Sequence, residues 1–212
     1  MNPKVYPGSW RKFNRKGRVQ RIYSILRARR VYIRECYGPR RKIIKKRRSE
    51  PCYNVILGSS LVFGVFVDQT VTISCPGGQI TTMCSPEVVR DIWNYNPKKL
   101  IVMGGTNNLF DRNGHKFMHP IQVRDDMREL LMFYLECGYN VALMGLISRE
   151  GEYETISHLN RLYRQLAKDL NIKFFRTKKF RHRVHISSDG LHPSPNGVRE
   201  LAKDFYDSLK KF

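Results

Sequence analysis

Residues 54–62 read Asn-Val-Ile-Leu-Gly-Ser-Ser-Leu-Val (NVILGSSLV). A short apolar run that stops at glycine and serine reads as a buried strand ending in a tight turn. The pattern recurs at 71–75, which runs into Pro76-Gly77-Gly78, and at 100–103, which runs into Gly104-Gly105. Apolar runs at 141–146 and 172–175 bring the expected strands to five. Helical periodicity lies between them. Ser85-Pro86 forms a cap and first-turn pair for a helix to about residue 94. Pro120 opens a second helix over 120–137, with Ile121, Met127, Leu130, Leu131 and Tyr134 on its core stripe and Gly138 as terminator. Residues 155–170 carry Ile156, Leu159, Leu162, Tyr163 and Leu166 at helical spacing. Ser194-Pro195 starts a last helix facing inward with Val198, Leu201, Phe205 and Leu209. Alternating strands and helices predict a parallel sheet covered on both faces, a three-layer, doubly wound (flavodoxin-like) α/β domain.

In such a sheet the functional site lies beyond the carboxyl ends of the strands. The residues expected there are Gly58-Ser59-Ser60, Pro76-Gly77-Gly78, Gly104-Gly105-Thr106-Asn107-Asn108 and, before the last helix, Asp189-Gly190-Leu191-His192. Each alone reads as an ordinary polar turn; their joint placement on one rim is more specific. A serine hydroxyl needs an adjacent base to become a nucleophile, and a histidine base needs a carboxylate to hold its tautomer. Ser60, His192 and Asp189 supply those three groups, and the developing oxyanion needs donors. The N–H of Ser60, the N–H of Gly77 (or Gly78, one residue on) and the Asn107 amide are the candidates.

The segments ILGSSLV, SCPGGQI, VMGGTNNL and SDGLHPSPNG resemble, in order, the four signature blocks of the SGNH (GDSL) hydrolase superfamily. The resemblance covers about residues 53–212 and implies a five-stranded sheet with Ser60 as nucleophile, Gly77 and Asn107 as oxyanion donors, His192 as base and Asp189 as its orienter. Ser59 and Asn108 stand where that family usually has aspartate. Within the superfamily, the PGG segment and the DGLHPSPNGVREL ending resemble two groups. One is the esterase-like domain of non-LTR retrotransposon first-open-reading-frame proteins; the other is the SGNH-like C-terminal domain of Oskar.

The net charge of +21 is concentrated at one end of the 212 residues. Residues 1–50 hold 18 Lys and Arg against Glu35 and Glu50, a net +16, so the remaining 162 carry only +5. The chain therefore divides into a basic arm, 1–51, and a globular domain, 52–212. Within the arm, 18–34 has the pattern of a basic amphipathic helix (Val19, Ile22, Leu26, Ile33), and 40–48 is a basic cluster suited to phosphates or nuclear targeting. Expected nucleic-acid contacts are Arg27, Arg29, Arg30, Arg40, Arg41, Lys42, Lys45, Lys46, Arg47 and Arg48, continued on the domain by Lys178, Lys179, Arg181 and Arg183. Trp10, Phe13, Tyr23, Tyr32 and Tyr37 either stack on bases or anchor the arm.

Cys36, Cys52, Cys75, Cys84 and Cys137 are odd in number and scattered, which speaks against a disulfide framework or a zinc site and for a reducing compartment. The expected location is intracellular, nucleus or cytoplasm; mitochondrial import is a lesser reading, because Pro3, Pro7 and Gly8 interrupt an early amphipathic helix. No apolar stretch approaches a membrane span, and neither a G-x-S-x-G elbow nor a nucleotide-binding glycine motif is present. His182-x-x-His185 has no acid or cysteine at ligand spacing, so it reads as a phosphate-facing loop. Asp111, Asp125 and Asp126 read as solvated acids. The expectation is a cofactor-free serine esterase acting on an acetyl or acyl ester, with RNA or DNA held by the arm. The alternative is a catalytically quiet RNA-binding module of the same fold.

Overall fold

The structure, a computed structural model, describes residues 53–111, 114–177 and 180–212, together with the backbone of Lys42–Ile44. Strands β1 (Lys42–Ile44), β2 (Asn54–Ser59), β3 (Thr70–Cys75), β4 (Lys99–Met103), β5 (Val141–Met144) and β6 (Lys173–Phe175) form one sheet in the order β1-β3-β2-β4-β5-β6. The five strands from β2 onward are parallel to one another. β1 comes from the segment read as arm. It adds to the edge strand β3 in antiparallel register, Lys42 opposite Ser74 and Ile44 opposite Thr72.

Parallel strands covered on both faces read as continuous apolar runs, and the buried runs Val55–Leu57, Leu100–Met103 and Val141–Met144 of β2, β4 and β5 have that form. Four long helices connect or follow the strands: α1 (Pro86–Tyr95), α3 (Pro120–Glu136), α4 (Tyr153–Asp169) and α6 (Pro195–Lys211). Short helices α2 (Thr106–Leu109) and α5 (His182–His185) lie in the connections. The caps follow the sequence. Ser85 Oγ accepts the N–H of Val88 and Ser194 Oγ that of Gly197, each followed by proline in the first turn. Gly138 closes α3 in the left-handed region, at φ +83°.

The core stripe of α3 differs from expectation at one end. Ile121, in the first turn, is 44% exposed, whereas Val123 and Phe133 are buried beside Met127, Leu130, Leu131 and Tyr134. Asp126, read as a solvated acid, is instead half-buried on α3 and accepts the Asn108 amide at 3.0 Å. Its burial raises its pKa above the ordinary carboxylate range; the Asn108 hydrogen bond opposes that shift, while Asp125 and Glu129 add to it.

The strand order reverses at β2. The chain leaves β2 for β3 on one side and later returns to β4 on the other. A crevice opens at such a switch point beyond the strand ends, and Ser60 is the first residue after β2.

Candidate active site

Ser60 opens a 3-10 turn, Ser60–Val62, so its N–H has no acceptor within that turn. The turn is tight because β2 runs close to β4. A Cβ on Gly58 would meet the Met103 carbonyl at 2.6 Å and Val62 at 2.7 Å, leaving glycine as the residue that fits. Ser59 points the other way: its Oγ is buried without a hydrogen-bond partner among the described residues, while its carbonyl accepts the Ser74 hydroxyl at 3.0 Å.

His192 Nε2 lies 2.9 Å from Ser60 Oγ, and His192 Nδ1 lies 2.6 Å from Asp189 Oδ2. The Asp-x-x-His spacing is what makes this possible. Asp189 Oδ1 accepts the N–H groups of Leu191 and His192, both at 2.9 Å, which curls the chain so that the ring returns onto the second carboxylate oxygen. The loop is closed behind it. Ser187 N–H donates to the His192 carbonyl at 2.7 Å, and Glu150 N–H to the Gly190 carbonyl at 3.1 Å. Burial raises the Asp189 pKa, but the hydrogen bonds from the His192 ring and the two N–H groups outweigh it and hold the carboxyl below the ordinary range.

Gly77, Asn107, Ser60 and His192 line one cleft of about 650 Å³. Between the two candidate glycines, the geometry favours Gly77. The Gly78 N–H is spent on the Cys75 carbonyl at 3.0 Å, and a Cβ there would meet Thr82 at 2.9 Å. The Gly77 N–H takes no partner among the described residues, and Gly77 sits at φ +69° facing open space. Asn107 Nδ2 donates one hydrogen to the Gly78 carbonyl at 3.0 Å, which fixes the amide and leaves its second hydrogen available. Asn108 does structural work: its Oδ1 accepts the Ile80 N–H at 2.9 Å and its amide reaches Asp126, tying the glycine loop to α3.

The turn bearing Asn107 is held from below. Buried Tyr163 donates its hydroxyl to the Gly104 carbonyl at 2.9 Å, and burial raises its phenol pKa well above the ordinary value. Tyr163→Phe leaves that carbonyl without its donor. The expected cost is about 1–3 kcal/mol of stability, measured by urea unfolding.

Several cleft residues were not singled out from the sequence. Phe110 and Phe117 form an apolar wall, Phe117 being 62% exposed, and Arg149 stacks 4.6 Å from the Phe110 ring centroid. They come from the loops after β4 and β5, where no strand or helix period marks them.

The polyanion-contact candidates fare differently. Arg27, Arg29, Arg30, Arg40, Arg41, Lys45, Lys46, Arg47, Arg48, Lys178 and Lys179 lie outside the described residues, as do Trp10, Phe13, Tyr23, Tyr32 and Tyr37. Lys42 and Arg183 are described through their backbone alone, in β1 and α5, and Arg181 is exposed. His185 Nδ1 accepts the Arg181 N–H at 3.0 Å, a local turn contact. Among the described residues no group of three His, Cys, Asp or Glu side chains is arranged to hold a metal, and no helix is long and apolar enough to cross a membrane.

No protein-family model and no curated protein matches the sequence. Solved structures do match. A GDSL-like lipase from Bacteroides thetaiotaomicron superposes with a TM-score of 0.61 at 14% identity, over 74% of this chain and 87% of that one. An acetyl xylan esterase gives 0.60 at 14% identity, over 74% and 99%. A carbohydrate acetylesterase from Sinorhizobium meliloti gives 0.58 at 17% identity, over 74% and 98%. With its sheet order and rim, the chain has the SGNH-hydrolase fold.

Proposed function

We propose that the chain is a serine ester hydrolase of SGNH type. The observation that carries the reading is the unbroken relay from Ser60 Oγ to His192 Nε2 at 2.9 Å and from His192 Nδ1 to Asp189 at 2.6 Å, opening on a cleft. Ser60 Oγ attacks the ester carbonyl while His192 Nε2 takes its proton. The Ser60 and Gly77 N–H groups and the Asn107 amide receive the oxyanion, and the imidazolium returns its proton to the departing alcohol oxygen. Water, deprotonated by the same imidazole, then attacks the acyl-serine and releases the acid. Asp189 stays ionised and holds the ring with its proton on Nδ1. The carbohydrate acetylesterase and acetyl xylan esterase among the structural neighbours support a short acyl group, acetyl first. The test is hydrolysis of p-nitrophenyl acetate by the full chain: turnover that depends on Ser60 supports the reading, and a folded protein without turnover contradicts it.

The pH profile has a defined sign. Asp189 titrates below the ordinary aspartate range, so its ionised form is present above about pH 4 and is lost only as pH falls through its lowered value. Asp189 therefore takes up no proton between pH 8 and pH 5, and its carboxyl carbon signal in 13C NMR is expected to stay constant across that window. A carboxyl signal that moves in that window would contradict the assignment.

The arm's +16 charge supports a tether to RNA or another polyanion, which also suits the retrotransposon-protein and Oskar groups. Deleting residues 1–41, which leaves β1 in place, is expected to remove most salt-dependent affinity for single-stranded RNA while keeping esterase turnover. Unchanged affinity in a filter-binding assay would remove the tether.

A further inference from the structure

A second cavity, of about 350 Å³, opens between the first turns of α4 and the end of β6 and shares no lining residue with the Ser60 cleft. Three guanidinium groups line it: Arg161 and Arg164 from α4, and Arg176 just beyond β6. None forms an ion pair among the described residues. Arg161 Nη1 reaches the Ser157 hydroxyl at 3.4 Å, and Arg164 lies over the Phe174 ring, 5.6 Å from its centroid. Three like charges around one cavity repel one another, and among the described residues no carboxylate lies within ion-pair distance of them.

We propose that this cavity binds a phosphate group. A carboxylate offers two oxygens on one side and satisfies one guanidinium fork. A phosphate offers oxygens on several sides, so guanidinium groups arriving from α4 and from β6 can each dock. Tyr153, 63% exposed at the cavity wall, adds an aromatic face beside the charges, which suits a phosphate carried on a nucleotide. In the sequence, Arg176 and Thr177 are followed by Lys178 and Lys179.

The test is NMR of the arginine Nε–H groups in the full chain at low salt, titrated with inorganic phosphate, uridine monophosphate, uridine and a short oligouridylate. The Arg161, Arg164 and Arg176 signals are expected to move saturably with each phosphate-bearing ligand and not with uridine. Arg161→Gln/Arg176→Gln is expected to weaken uridine monophosphate at least tenfold, while Arg199→Gln, at an exposed position on α6, changes nothing. An oligouridylate that binds the wild type more tightly than the monophosphate names a nucleic-acid strand as the source; equal affinity names a free phosphate compound. Uridine moving the same signals as strongly, or a double variant that binds the monophosphate like wild type, overturns the proposal. If the double variant fails to fold, the wild-type signals decide alone. Its turnover of p-nitrophenyl acetate should match wild type, so failure here is distinguishable from failure of the esterase reading.

Discussion

Ser60→Ala is expected to lower kcat/KM for p-nitrophenyl acetate by about ten thousand-fold or more, His192→Ala by a similar factor, and the double variant by no more than either alone. The non-additivity is the informative part. Ser60 Oγ is a weak nucleophile until His192 Nε2, 2.9 Å away, removes its proton, and the imidazole has nothing to act on once Oγ is gone. The two side chains form one device, so removing its second half costs nothing further. A factor of ten thousand corresponds to about 5.5 kcal/mol of transition-state stabilisation. Ser60 is only partly buried and its Oγ supports no strand contact, so Ser60→Ala should unfold in urea like wild type. Costs that add in the double variant would mean that the pair does not act on a common step.

Asp189→Asn is expected to have the second large effect, through the geometry of the loop that carries His192. The asparagine oxygen can replace Asp189 Oδ1 as acceptor for the N–H groups of Leu191 and His192, so the loop keeps its shape. Its amide nitrogen then stands where Oδ2 now meets His192 Nδ1 at 2.6 Å. A donor there forces Nδ1 to become the acceptor, which moves the ring proton to Nε2. That nitrogen faces Ser60 Oγ and can no longer accept its proton. The expected result is a loss of about a thousand- to ten thousand-fold in kcat at neutral pH, with unchanged urea unfolding. A loss below tenfold would mean that the carboxylate does not set the tautomer.

These consequences rest on features that the sequence displayed unequally. The five parallel strands and the four long helices were legible because burial on both faces writes itself as apolar runs, and Ser85-Pro86 and Ser194-Pro195 state their caps locally. That Ser60, His192 and Asp189 would meet was legible because each follows a strand or precedes a helix. What escaped was set by distant partners. Lys42–Ile44 lies inside a run of basic residues, and its pairing is dictated by the free edge of β3, not by anything local. Asp126 looks like a surface acid until Asn108, eighteen residues away, is brought against it. Phe110, Phe117 and Arg149 sit in loops, whose course depends on the elements they cross. Ile121 has helical spacing, yet it falls in the first turn and faces outward.

The central claim is that Ser60 is activated by an assembled relay. Labelling the full chain with a fluorophosphonate probe tests it most directly, because the probe phosphonylates only a serine that a neighbouring base deprotonates. One label per chain is expected, at Ser60, lost in Ser60→Ala and in His192→Ala. A folded chain that takes no label, or takes it equally in His192→Ala, would contradict it.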